Sequence, residues 1–138
     1  MGLITIVYVS LADHRMTQDE LLQILDEARE NNKKNDITGM LLYRNNFFIQ
    51  ALEGDAYDVE PLYEKIKTDN RHRNVITVYK NVIQDRVFTD WSMGCNELKD
   101  HHLEDVDGYR GTLDTDFFEE KPARAIKLLE SFRNQSYF

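Results

Sequence analysis

Phe47-Phe48-Ile49-Gln50-Ala51-Leu52-Glu53-Gly54 reads as a buried strand with an amide in its middle. Side chains alternate across a strand, so Phe48, Gln50 and Leu52 share one face. A second apolar run, Ile4-Thr5-Ile6-Val7-Tyr8-Val9-Ser10, carries Tyr8 at its centre, with Ile4, Ile6 and Tyr8 on a common face. Burying an amide without partners costs roughly 1–3 kcal/mol. Something on that face has to satisfy Gln50, and a bound polar ligand is a candidate.

Working outward, Thr17-Gln18-Asp19-Glu20 matches a capping box, with Thr17 as N-cap and Glu20 reaching back. Leu21, Ile24, Leu25 and Ala28 then form a helical stripe that fades around Asn31-Asn32. A second strand is expected over residues 37–43, and Arg44-Asn45-Asn46 reads as a tight hairpin turn leading into the Gln50 strand. Gly54-Asp55 opens a second helix with Val59, Leu62, Tyr63 and Ile66 on its apolar side. Asp55 and Asp58 compete as caps, and Pro61 is expected in or near the first turn. A fourth strand follows over residues 75–83 and a short fifth from about residue 88 to 95, on which Trp91 and Met93 would share a face. This order, βαββαββ, is the ferredoxin-like α+β arrangement with both helices on one sheet face.

Residues 97–120 are acidic and read as a solvated, loop-like connection. From Pro122, suited to a first helical position, Ala125, Ile126, Leu128, Leu129 and Phe132 make an amphipathic helix. It is expected to cover the bare sheet face or another copy of the chain. The domain reading is a ligand-binding unit over residues 1–98 and a C-terminal helical extension over 99–138.

Composition bounds the function. The chain has 138 residues, 41% hydrophobic and 30% charged, as an ordinary globular domain does. A net charge of −8 argues against nucleic acid, whose phosphates need a basic stripe. No apolar run reaches membrane-spanning length. Met1-Gly2-Leu3-Ile4 runs straight into the first strand without a leader pattern, and Ile6 stands where a myristoylation motif wants Ser or Thr. Cys95 is the sole cysteine, which fits a reducing, cytoplasmic setting and reads as a buried strand residue, not a nucleophile. His14, His72, His101 and His102 lack the spacing of a metal set, and the adjacent pair His101-His102 is expected at the surface.

Asn31 and Asn32 extend the buried stripe of the first helix, although taken alone a C-terminal cap is the better account of Asn at a helix end. Asp69, Arg71 and His72 lie at the matching end of the second helix, where a solvated turn is the plain alternative. Together these amide, carboxylate and cationic groups surround an apolar slot on the Gln50 face. That combination suits a flat heteroaromatic ligand with several hydrogen-bonding edges.

Tyr8, Asn31-Asn32, Ile37-Thr38-Gly39, Phe48-x-Gln50-x-Leu52-Glu53-Gly54, Asp69-x-Arg71-His72 and Trp91-Ser92-Met93 together resemble a BLUF domain, the blue-light sensor using FAD. The resemblance covers roughly residues 1–98, and the tail resembles the short members that carry helices in place of a fused output domain. It implies a flavin ring between the two helices, above the sheet. Asn32 would bond its carbonyl edge, Asn31 and Arg71 would lie nearby or toward the ribityl-phosphate, and Ile24, Ala28, Phe48, Leu52 and Ile66 would line its faces. Lys65 stands where some members carry Arg, and Asp69 and His72 complete the implied cofactor set. FMN or riboflavin would fit the same slot as FAD.

The resemblance further implies that Tyr8 and Gln50 form the photoactive pair. Tyr8 would give an electron and then a proton to photoexcited flavin, with Gln50 as relay, because an amide both donates and accepts. Gln50 would be left rotated or tautomerised, shifting the flavin spectrum to the red until it relaxes in the dark. Trp91 and Met93 would carry the change to the tail, against the plain alternative of core packing. No catalytic turnover is expected. With no second domain expected after residue 138, the output is expected to pass through self-association, as a homo-oligomer, or a downstream protein partner. The rivals are a ferredoxin-like regulatory module binding a colourless metabolite, and a small ferredoxin-like enzyme. The enzyme would want a reactive His, Cys or Arg constellation that is not visible here.

Overall fold

A computed structural model describes residues 2–138; Met1, from which the chain was expected to enter its first strand, lies outside them. The first strand, β1, is Leu3–Ala12, and the first helix, α1, is Gln18–Lys34. The capping box at its start is complete: Thr17 Oγ1 accepts from the Glu20 amide and Glu20 accepts from the Thr17 amide. The helix does not stop at Asn31-Asn32. It runs to Lys34 with Asn35 as C-cap, so the two asparagines sit in the last turns, and Asn32 is buried. The capping alternative for them is therefore overturned; it is Asn35 whose amide and side chain return to the Asn31 carbonyl.

β2 (Thr38–Arg44) and β3 (Phe47–Asp55) form the expected hairpin, with Asn45 in the left-handed region at φ 55°. Asp55 caps the second helix, α2 (Ala56–Thr68), by accepting from the Tyr57 amide at 2.9 Å. Pro61 lies deeper in α2 than a first-turn position. Its missing N–H would have served the carbonyl of residue 57, and the helix continues past it.

β4 (His72–Val82) pairs with β1, and the sheet order is β4-β1-β3-β2-β5, the ferredoxin-like order with one strand added. β5 is only Gly94–Glu97 and lies parallel to β2. The expected strand from residue 88 does not form, because its backbone is bonded elsewhere. The buried Glu53 carboxylate accepts from the Val87 and Phe88 amides at 2.9 and 2.8 Å. Side chains or isolated amides claim the carbonyls of residues 91–93. Arg86 locks the same loop to the Glu53 and Asp36 carbonyls. Burial raises the Glu53 carboxyl above its usual range, opposed by those amides, Thr38 and Arg86. Trp91 and Met93 consequently do not share a strand face.

The sheet has two buried faces. Ile4, Ile6, Tyr8, Leu41, Phe48 and Leu52 face α1 and α2, packing on Leu21, Leu25, Val59 and Tyr63. Val7, Val9, Met40, Leu42, Phe47 and Ile49 face the other way, under the tail. There α5 (Pro122–Ser131), begun by Pro122 as expected, brings Ala125, Leu128 and Leu129 onto the sheet. The stretch expected to be loop holds two short helices, α3 (Asp100–Leu103) and α4 (Thr115–Glu120). Each delivers one fully buried side chain, Leu103 and Phe118. Helices this short carry no readable period, which is why the acidic composition masked them. His102 is not simply at the surface: its ring packs edge-on against Phe132, at 4.8 Å, and accepts from the Lys99 amide. Among the described residues no helix is long and apolar enough to cross a membrane.

Two substitutions separate local from tertiary contributions. Thr17→Ala should cost about 1 kcal/mol in urea unfolding, and Phe118→Ala about 3–5 kcal/mol through the cavity it leaves. Equal losses would mean that the tail is not part of the cooperative core.

Candidate functional site

The antiparallel register of β1 and β3 sets Tyr8 opposite Gln50, and β2 sets Leu41 on Gln50's other side. All three point to the helix face. The Tyr8 hydroxyl donates to Gln50 Oε1, while Gln50 Nε2 is turned to Met93 Sδ at 3.2 Å. Thioether sulfur is a weak acceptor, so the amide has one strong partner and one weak one. Tyr8 is buried, and burial, with the neighbouring Tyr63 and Asp69, raises its phenol far above the ordinary value. Its ring lies 5.4 Å from Tyr63 and meets His72 edge-on at 6.2 Å. On the outer side of Tyr8, the β1–β4 ladder is irregular, shifting register between Val7 and Tyr8.

Above this pair, between α1 and α2, is a cavity of ≈ 430 Å³. Ile24 and Ala28 from α1, Leu62 and Ile66 from α2, and Phe48 and Leu52 from β3 supply its apolar walls. Asn31 and Asn32 furnish one edge and Gln50 the floor. Lys65, Asp69, Arg71 and His72 furnish the α2 end. Every residue expected to hold a ligand therefore lines one cavity. Met93 joins them, but Trp91 does not: its indole donates outward to the Arg133 carbonyl at 2.8 Å.

Some polar groups are already engaged. Asn32 Nδ2 donates to the Ser92 carbonyl at 2.6 Å, tying α1 to the loop before β5. Arg71 pairs with Asp69 and reaches Glu27 across the mouth at 3.0 Å, bridging the two helices. The Arg71 hydrogen bonds hold the Asp69 carboxyl below its usual range. His72 is fixed between Ser10 Oγ and the Ile66 carbonyl, so it shapes the wall and has little left to offer a ligand.

Sequence reading missed Ser10, Met16, Glu27, Leu41, Leu62 and Thr68 as lining residues. Ser10 was within reach, two residues past Tyr8 on the same strand face, as was Glu27, three past Ile24 on the helix. Leu41 needed the β2–β3 register. A planar ligand with apolar faces and several polar edges fits this donor set: the walls are aliphatic, the amides are confined to edge and floor, and cations stand at the open end.

Residues 3–94 match the family model described as BLUF, sensors of blue-light using FAD. The chain is 42% identical over 86 residues to photoactivated adenylate cyclase subunit alpha of Euglena gracilis, a match covering 62% of this chain and only 8% of that protein. A structure of BlsA in its photo-activated state superposes with a TM-score of 0.74 at 28% identity, covering 97% of this chain and 96% of that one. Klebsiella pneumoniae BlrP1 with FMN and cyclic diGMP superposes with a TM-score of 0.64 at 29% identity, over 69% of this chain and 26% of that one.

The raised Tyr8 phenol has a thermodynamic signature. Above the unfolded value of 10.0 the unfolded chain loses this proton while the folded chain keeps it, so stability should fall with rising pH. The loss attributable to one such group is about 1.4 kcal/mol per pH unit. Unfolding curves at stepped pH above 10 should thus be shallower in pH for Tyr8→Phe than for the parent. Parallel dependence in the two proteins would show that the phenol ionises freely when folded.

Proposed function

The chain belongs to the BLUF family of blue-light sensors using FAD, and from that premise we propose that Tyr8 and Gln50 are its photoactive pair and the cavity between α1 and α2 its flavin site. The observation that carries the reading is the direct Tyr8–Gln50 hydrogen bond on the cavity floor. Asn31 and Asn32 would hold the polar edge of the ring, Ile24, Ala28, Phe48, Leu52 and Ile66 its faces, and Lys65 and Arg71 the anionic chain. FAD is the flavin favoured; FMN, bound by BlrP1 in its structure, or riboflavin would use the same ring contacts.

When bound, photoexcited oxidised flavin supplies a strong one-electron oxidant. Everything else falls to the chain's own side chains. A buried phenol that loses an electron becomes strongly acidic, and the atom in contact with its hydroxyl is Gln50 Oε1. Gln50 takes that proton and returns one as the charges recombine. The amide ends rotated or tautomerised, which is possible because its contact to Met93 Sδ is weak and easily exchanged. Met93 and the loop before β5 feel the exchange, and the tail over residues 99–138 carries it onward from the sensing unit over residues 1–98. A change of this kind selects between two arrangements of one fold.

In this reading the chain itself performs no turnover and works in the cytoplasm, delivering its signal to a homo-oligomer contact or a downstream protein. The cyclase activity named for the Euglena relative belongs to a protein of which the matched stretch is 8%.

Purified protein should be yellow, and its light-minus-dark spectrum should show a redshift that decays in darkness. Gln50→Leu should retain flavin but lose the redshift, and Tyr8→Phe should lose it without loss of fold. A normal photocycle in Gln50→Leu would remove the pair from the mechanism. A colourless protein that takes up no flavin on refolding with FAD would favour a metabolite-binding module. Arg71→Ala should weaken FAD binding about tenfold, the value of one charge-assisted contact, with the redshift of bound flavin retained.

A further inference from the structure

Arg29 lies on α1, three residues before Asn32, and lines no part of the cavity. Its half-buried guanidinium makes two bonds to backbone carbonyls far apart in the chain. Nε donates to the Met93 carbonyl at 2.9 Å and Nη2 to the Phe138 carbonyl at 2.9 Å.

The segment it holds, residues 133–138, runs beside β5. The Tyr137 amide donates to the Cys95 carbonyl at 2.9 Å, and the Cys95 amide donates to Ser136 Oγ at 2.9 Å. Asn96 Nδ2 donates to the Gln135 carbonyl, also at 2.9 Å. The segment therefore covers the side of β5 that β2 leaves free. At residue 138 its attachment is a charge-assisted bond from the same side chain that bonds the Met93 carbonyl.

We infer that Arg29 is a positioning residue that couples Met93 to residues 133–138. The inference rests on the proposed photoactive role of Gln50, and names the side chain through which the change leaves the site. One guanidinium has fixed geometry between its two donors, so the two carbonyls it bonds cannot move independently. A shift of Met93 on its exchange with the Gln50 amide displaces the 93 carbonyl, drags the guanidinium and loosens the grip on 138. The free side of β5 then becomes available for backbone pairing.

The test uses the full chain with FAD bound, reading amide hydrogen exchange at Tyr137 in darkness and under blue light beside the absorption redshift. In the parent protein light should speed Tyr137 exchange. In Arg29→Ala it should be about tenfold faster already in the dark, as expected for loss of a charge-assisted bond, and should no longer respond to light, with the redshift intact. Arg29→Lys, which keeps the charge but not the two-pronged geometry, should restore dark protection and not the light response. Parent-like exchange in Arg29→Ala, or a full light response in either variant, overturns the inference. If the parent shows no redshift, the photoactive assignment has failed instead; the dark comparison still reads the grip of Arg29 on the segment. Should Arg29→Ala not fold, Arg29→Lys alone decides, since a coupling that survives in it does not need the guanidinium.

Discussion

The hydrogen bond from the Tyr8 hydroxyl to Gln50 is made on a sheet face occupied mostly by aliphatic and aromatic side chains, and the strand register alone permits it. A slip of one residue between β1 and β3 would turn one partner to the opposite face, under the tail. Low polarity around the pair strengthens the bond and makes any unpaired alternative expensive. Gln50 nevertheless keeps one weak partner, the Met93 thioether. The buried amide is thus held firmly at its oxygen and loosely at its nitrogen.

The two faces of the sheet divide the work. The helix face leaves a cavity over Gln50, whereas the opposite face is filled by Leu103, Phe118, Leu128, Leu129 and Phe132 from the tail. A loop connects the two sides before β5. Glu53 fixes one of its ends through two backbone amides, and Asn32, Gly39 and Arg29 bond the carbonyls of residues 92, 91 and 93 at the other. The segment that carries Met93 beside the Gln50 amide is thus tethered on both sides.

Local signals were readable where one side chain answers one backbone group. The Thr17–Glu20 box, Asn45 in its turn and Pro122 at a helix start all act within a few residues of themselves, while the choice between Asp55 and Asp58 as cap was left to the fold. Readings failed where the partner lay far along the chain. Strand five was placed too early because Glu53, more than thirty positions upstream, takes the amides a strand would have used. Pro61 stands deeper in its helix than the rule for proline predicts, and the helix runs on past it. Leu103 and Phe118 are carried by helices too short to show a period.

The alternation of apolar residues and the position of one amide within it are enough, by themselves, to put Tyr8 and Gln50 on the same kind of surface, because a two-residue period is a property of any extended chain. Asn31 and Asn32 follow from the helical period that starts at Ile24 and Ala28, whereas the cofactor roles of Lys65, Asp69, Arg71 and His72 came from the family resemblance. Which thioether and which indole stand beside that amide was decided only by the folded molecule. Trp91 and Met93 belong to a loop with no period of its own, and the directions of their side chains are set by bonds to Arg29, Asn32, Gly39 and Arg133 that come together only in three dimensions.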